Sequence, residues 1–208
     1  MAHLPALCPQ GLNSKTFTPP PKSLTVSEIC DWHYKHSESH TLYIHVDQAT
    51  DEVTSVPWKT AVQGIYRISH FVTQNVQALE TSELRPTIGL CSTSDSFTYL
   101  LSILGIMRAG YPVFLISPYS SLAALKHLIE TSGVSMILTN TDDLALHSKL
   151  YSAVVAVNNN VQTAIISQLQ WSQIFSSQTP VEGGPIVPPY DLESASVILH
   201  SSGQYFLS

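Results

Sequence analysis

The residues best suited to chemistry sit near the end of the chain. A strand-like run, Ser194–His200, leads straight into Ser201-Ser202-Gly203. A turn of small residues directly after a buried strand is where many α/β proteins hold a phosphate. Backbone N–H groups can approach the anion closely there, and hydroxyls add further donors. The run then changes to Gln204-Tyr205-Phe206-Leu207. Whether the Ser-Ser-Gly turn is a phosphate loop or a plain tail depends on the elements that precede it.

Other groups invite chemical readings that their spacing does not support. His33 and His36 stand three apart on one helix, close enough to share an ion, but zinc needs three or four converging ligands. His40 and His45 fall beyond the expected helix end, and no HExxH occurs. These histidines read as a solvated, mildly polar face, and no metal site is assigned. Asp142-Asp143 point apart on a helix and read as an N-terminal cap favoured by the helix dipole, not as an acid–base pair. Ser94-Asp95 is the same kind of signal before the next apolar run. Trp58 and Trp171 read as core or groove-filling residues. The absence of GxGxxG, GxSxG and Walker-type loops removes support for dinucleotide oxidoreductase and serine hydrolase chemistry.

The elements that must position the turn follow from periodicity. Thr25-Val26-Ser27-Glu28 fits a capping box and opens a helix to about His36. Thr41–Val46 is strand-like, with Glu52–Val56 as its hairpin partner. Pro57 suits a first helical position. Trp58, Val62, Ile65, Ser69, Val72, Val76 and Leu79 then mark one face of a helix of about 20 residues. Next come a strand at Pro86–Ser92, an apolar helix at Ser94–Ala109 closed by Gly110, and a strand at Tyr111–Ser117. A helix at Ser120–Thr131 closed by Gly133 and a strand at Val134–Leu138 follow. A helix over Asp142–Val157, a strand over Val161–Ile166 and a long proline-rich loop over Ser176–Asp191 complete the chain before Ser194–His200. Continuous apolar strands alternating with helices predict α/β architecture: a mostly parallel sheet with helices on both faces.

Bulk properties bound the partners. The 208 residues are 44% hydrophobic, enough for a sizeable core. A net charge of −6 and a pI near 5.8 exclude a nucleic-acid-binding or anionic-membrane surface. The most apolar run, Ser96–Met107, is shorter than the roughly 20 residues a bilayer needs. Residues 1–22 show no secretory pattern and read as an irregular arm. Cys8, Cys30 and Cys91 show no CxxC spacing and read as free thiols in a reducing compartment, so a cytoplasmic location is expected.

Three blocks, in this order, resemble the N-terminal part of adenylate-forming enzymes. This is the AMP-dependent synthetase/ligase superfamily of acyl- and aryl-CoA synthetases and peptide-synthetase adenylation domains. "VTSVPWKTAVQGIYRISHFV" is similar to the family's first strand–helix pattern. "SFTYLLSILGIMRAGYPVFLISPYSS" is similar to its LLAILKAGAAYVPLDP block, with Arg108-Ala109-Gly110 in place of Lys-Ala-Gly and Ile116-Ser117-Pro118 in place of Leu-Asp-Pro. "DLESASVILHSSG" is similar to DDLAYIIYTSG. The "RAGY" run and the histidine before Ser-Ser-Gly resemble most closely the adenylation domains of fungal peptide-synthetase-like reductases.

The resemblance implies a partial adenylation domain over 23–203, with an arm at 1–22 and a non-matching tail at 204–208. It implies the N-terminal subdomain of such an enzyme's large domain. It implies ATP and Mg as cofactors of the complete family member, with a carboxylic acid activated to an acyl-adenylate and passed to the thiol of CoA or a carrier protein. It implies that Ser201, Ser202 and Gly203 hold the β- and γ-phosphates while the carboxylate attacks the α-phosphate. The match stops at Gly203: Gln204-Tyr205-Phe206 replaces small hydroxyl residues and the next Gly, the following Pro-Lys is absent, and later family elements are absent too. The chain alone is therefore expected to be inactive and to bind no nucleotide, with no catalytic residue of its own. The alternatives are a non-catalytic fragment acting as a binding or docking module and a non-functional truncated product. No nucleic-acid or membrane partner is expected.

Overall fold

The structure, a computed structural model, describes residues 15–46, 53–79, 85–140, 142–157, 163–175 and 197–199. The chain forms two compact units, one up to Gly64 and one from Ile65 onward.

In the first unit, α1 (Val26–His36) starts at the expected capping box. The Glu28 N–H donates to Thr25 Oγ1 at 3.3 Å, and the Thr25 N–H donates to Glu28 Oε2 at 2.8 Å. The Thr25 N–H first, and then the Thr25 hydroxyl, which donates to the same Glu28 Oε2 at 2.7 Å, hold the Glu28 carboxyl below its usual range. β1 (Thr41–Val46) and β2 (Val53–Pro57) form the antiparallel pair read from the sequence. Pro57 departs from expectation: it closes β2 opposite Thr41 and does not open the helix. In this two-stranded pair both strands are edges, where a residue without an N–H is tolerated. α2 (Trp58–Ala78) begins one residue later and runs on into the second unit. Val62, Ile65, Ser69, Val72 and Val76 on its expected inner face are all buried.

The second unit is built on a sheet of β3 (Ile88–Cys91), β4 (Val113–Leu115), β5 (Met136–Thr139), β6 (Ala164–Ser167) and β7 (Val197–Ile198). Between them lie α3 (Ser96–Arg108), α4 (Leu122–Ser132), α5 (Leu144–Ala156) and the short α6 (Trp171–Ile174). The five strands run parallel in the order β6-β5-β3-β4-β7. This is the expected α/β fold.

The order determines where the helices go. Parallel crossovers are right-handed. The step from β3 to β4 goes one way along the sheet, while the steps from β4 to β5 and from β5 to β6 go the other way. α3 therefore covers one face, and α4 and α5 cover the other. Side chains agree. Cys91, Phe114, Ile116 and Ile137 share a core with Leu125 and Ile129 of α4 and Leu146 and Leu150 of α5. Strand alternation sends Ile88, Leu90, Val113, Met136 and Leu138 to the opposite face, where all are buried.

On that face α3 packs against α2 through Gly105. A Cβ there would lie 2.4 Å from Ile68 Cγ2. α6 is tied to the same layer: Arg67 Nη1 donates to the Ile174 carbonyl at 2.8 Å. The Phe97 ring lies 6.1 Å from Phe175 and 5.9 Å from Trp171. Trp171 thus fills a groove, as read from its type. Gly133, at φ 60°, ends α4 in the left-handed conformation that glycine adopts without strain.

Candidate functional site

Because α3 and α4 leave the sheet toward opposite faces, the segments after β3 and β4 diverge. A parallel sheet opens a crevice at such a switch point, outside the carboxyl ends of its strands. A cleft of about 630 Å³ lies there. Ser92, Thr93, Ser94 and Ser96 line it from the β3 side, Ser117, Pro118 and Tyr119 from the β4 side, and Leu199 from just beyond β7.

Local sequence explains both walls. After β3 the run Ser92-Thr93-Ser94-Asp95 turns tightly: the Ser94 N–H donates to Ser92 Oγ at 3.1 Å. Asp95 caps α3, with Oδ1 accepting from the Phe97 N–H at 3.0 Å and the Thr98 N–H at 2.9 Å. The Thr93 N–H donates to Asn140 Oδ1 at 2.7 Å, pinning the turn to the end of β5. After β4 the Ile116 N–H donates to the Leu90 carbonyl at 2.9 Å. Lys149 of α5 then donates to the carbonyls of Pro118, at 2.7 Å, and Ser120, at 3.1 Å. Ser121 caps α4 through the Ala124 N–H.

The electrostatics follow from this wiring. Among the described residues the lining is hydroxyl-rich and carries no charged side chain. The Lys149 ammonium is directed at carbonyls, and the Asp95 carboxylate is directed at the α3 amides. Burial raises the Tyr99 phenol above its ordinary value, with a smaller contribution from Cys91. Burial pushes the Cys91 thiol up to about 12, so Cys91 is a packing residue and not a nucleophile. Cys30 is likewise buried.

Ser201, Ser202 and Gly203 lie outside the described residues, as do Gln204–Phe206, the Ser176–Asp191 loop and Asp191–Ser196. Leu199, two residues before Ser201 in the sequence, lines the cleft. Asp143 caps α5 by accepting the Leu146 N–H at 2.9 Å, as read from its position. The histidine reading needs correction: His33 and His40 are not on a solvated face but are buried, at 3% and 6% exposure. Each has an aromatic neighbour that screens it from water: the Phe17 ring lies 5.1 Å from His33 and 5.0 Å from His40. Among the described residues no group of three or more His, Cys, Asp or Glu is arranged to hold a metal ion. The cleft residues themselves were not singled out from sequence. Their signal is a run of small polar residues directly after each of two buried strands: Ser92-Thr93-Ser94 and Ser117-Pro118.

No protein-family model matches the chain. In sequence it is similar to the adenylate-forming reductase Nps10 of Heterobasidion annosum, at 28% identity over 206 residues, covering 93% of this chain and 19% of that protein. The chain thus spans about a fifth of that relative's length. Among solved structures it is similar to the acyl-CoA synthetase of Brucella canis, with a TM-score of 0.60 and 15% identity over 90% of this chain and 33% of that one. It is also similar to McyG A-PCP complexed with phenylalanyl-adenylate, with a TM-score of 0.59 and 13% identity over 86% and 26% of the two chains. The fatty acyl CoA synthetase of Mycobacterium tuberculosis gives a TM-score of 0.58 at 14% identity, over 83% and 32%. The resemblance read from the three sequence blocks therefore stands. The chain is similar in sequence to an adenylate-forming reductase and shares its α/β fold with part of the adenylating enzymes.

Proposed function

We propose that this chain supplies the N-terminal portion of an AMP-forming carboxylate-activating protein, with its nucleotide side along the β3–β4–β7 edge. The observation that carries this reading is the 28% identity to an adenylate-forming reductase across 93% of the chain. Leu199, two residues before Ser201 in the sequence, lines the cleft. In the longer protein, the amides and hydroxyls of Ser201, Ser202 and Gly203 hold the β- and γ-phosphates of ATP. The substrate carboxylate attacks the α-phosphorus and pyrophosphate leaves, giving the acyl-adenylate. The protein's part is positioning and dispersal of charge. A thiol of CoA or a carrier protein then displaces AMP. Magnesium, which the resemblance implies, finds no ligand cluster among the described residues.

The 208-residue polypeptide by itself should not form adenylate: its sequence has Gln204, Tyr205 and Phe206 where the family it resembles has small hydroxyl residues and a glycine. The test is acid-dependent exchange of labelled pyrophosphate into ATP. The 208-residue chain should give none above a no-protein blank. A chimera of Nps10 in which residues 24–203 of this chain replace the matching segment should restore exchange, and Ser201→Ala with Ser202→Ala should lower it. A cooperatively folded chimera without exchange would sink the assignment.

A further inference from the structure

In the first unit, the segment Thr16-Phe17-Thr18 is fastened to the end of α1 by side chains whose charge depends on pH. The Phe17 ring stacks on His33 at 5.1 Å and lies 5.0 Å from the His40 ring. His33 also stacks on Trp58, with ring centroids 4.3 Å apart and planes 19° apart. Its Nδ1 lies 3.1 Å from Ser37 Oγ. The same Ser37 Oγ accepts the Thr18 N–H at 2.9 Å. His40 Nδ1 is hydrogen-bonded to Thr16 Oγ1 at 3.0 Å. Trp32 Nε1 donates to the Thr18 carbonyl at 3.2 Å. His33 thus touches the segment through the Phe17 ring and, by way of Ser37 Oγ, the Thr18 N–H, while His40 touches it through the Phe17 ring and the Thr16 hydroxyl.

We propose that His33 is the titrating element of a pH-operated latch: as a neutral ring it holds residues 16–18 against α1, and on protonation it releases them. A cation on buried His33 loses its hydration, and among the described residues no carboxylate pairs with it. Glu28 is engaged in the α1 capping box. Glu38 is paired with Lys59 at 2.8 Å. Asp31, Lys35 and His36 share α1 with His33, and Lys15 and Lys22 flank the segment in sequence. None of these charges bears on His33; the one that does is that of His40, a like charge. The faces of Phe17 and Trp58 favour a cation. Burial first, and then His40, nonetheless hold His33 below its ordinary value, so their opposition wins.

The sign of the pH effect follows. The latched state binds fewer protons than the released state, so latching strengthens wherever the released state carries the extra proton less. It is at full strength above the ordinary histidine value, near 6.5, and weakens as pH falls below it.

The test is hydrogen–deuterium exchange on the whole chain, followed in the peptide spanning residues 15–22 and corrected for intrinsic rates. Protection of that peptide should fall between about pH 7.5 and about pH 5.5, while protection of β3 stays constant. His33→Phe keeps the stacking surface and removes the titration, so its peptide should stay protected at the lower pH. Histidine NMR on the unmodified chain guards against a misfolded variant: His33 should titrate below the ordinary value, and the Thr18 amide should follow the same curve. Protection of residues 15–22 that is flat with pH overturns the proposal. So does pH dependence that survives in folded His33→Phe, or a Thr18 amide that ignores His33.

Discussion

Replacing Gly105 by alanine tests the close approach of α3 to α2 in the second unit. On an exposed helix face this change would stabilise the fold, because alanine is favoured over glycine by about 1 kcal/mol. Here the added Cβ would meet Ile68 Cγ2 at 2.4 Å and Ile68 Cβ at 2.6 Å. Carbon atoms pack best at roughly 3.5–4.0 Å. The second contact decides the magnitude. Ile68 Cβ is fixed to the α2 backbone, so no rotamer moves it aside and the helices themselves must separate. Overpacking of a close-packed core costs about 1–3 kcal/mol, and a backbone obstruction belongs at the upper end. Net of the propensity gain, Gly105→Ala should destabilise by about 2 kcal/mol. For a chain of this size that is a melting-point drop of about 4–8 °C. Urea denaturation should show a lower midpoint with an unchanged slope. Ile68→Ala deletes Cγ2 but leaves the Cβ, so adding it to Gly105→Ala should recover only part of the loss. A Gly105→Ala protein that melts at or above the parent temperature would refute this account of how α2 and α3 pack.

Asp95→Ala removes the acceptor for the Phe97 and Thr98 amides at the head of α3. It should cost about 1 kcal/mol in equilibrium unfolding, with Asp95→Asn close to parent; an Ala variant as stable as the parent would remove the cap from the account. The Cys91 thiol, pushed up to about 12 by burial, should resist alkylation at about pH 8 in the folded chain and react once the chain is unfolded. Peptide mapping of labelled sites checks this, and rapid native-state labelling of Cys91 would contradict its burial.

The elements that were legible in sequence are those decided by near neighbours. The Thr25–Glu28 capping box, the four-and-three spacing from Trp58 to Leu79, and the Asp95 and Asp143 caps each depend on groups within a few residues of one another. Continuous apolar runs at β3 and β5 announced strands buried on both faces. Pro57 misled because its fixed φ suits a helix start as well as a strand end, and pairing with Thr41 decides between them. The histidines misled because polarity was read as exposure. The Phe17 and Trp58 rings that cover His33 lie 16 and 25 residues away in sequence, respectively. The cleft was not legible because it follows from strand order. Nothing local says that β5 returns past β3 and does not extend beyond β4. Asn140, which pins the β3 turn from 47 residues away, carries no signal of that role.

The wiring of the cleft also bears on where a phosphate would have to sit. The head of α3 points free amides toward the crevice region and would ordinarily attract an anion. In this chain Asp95 takes two of those amides and adds a negative charge there, so the helix end is filled from within. The nearest ammonium, Lys149, is bonded to the carbonyls of Pro118 and Ser120 and closes the β4–α4 turn. The described walls therefore offer an incoming polyphosphate hydroxyl groups but no charge. Neutral hydroxyls orient a ligand and contribute little against the cost of taking a multiply charged anion out of water. Charge-matched donors for such an anion are therefore not among the described residues of the cleft.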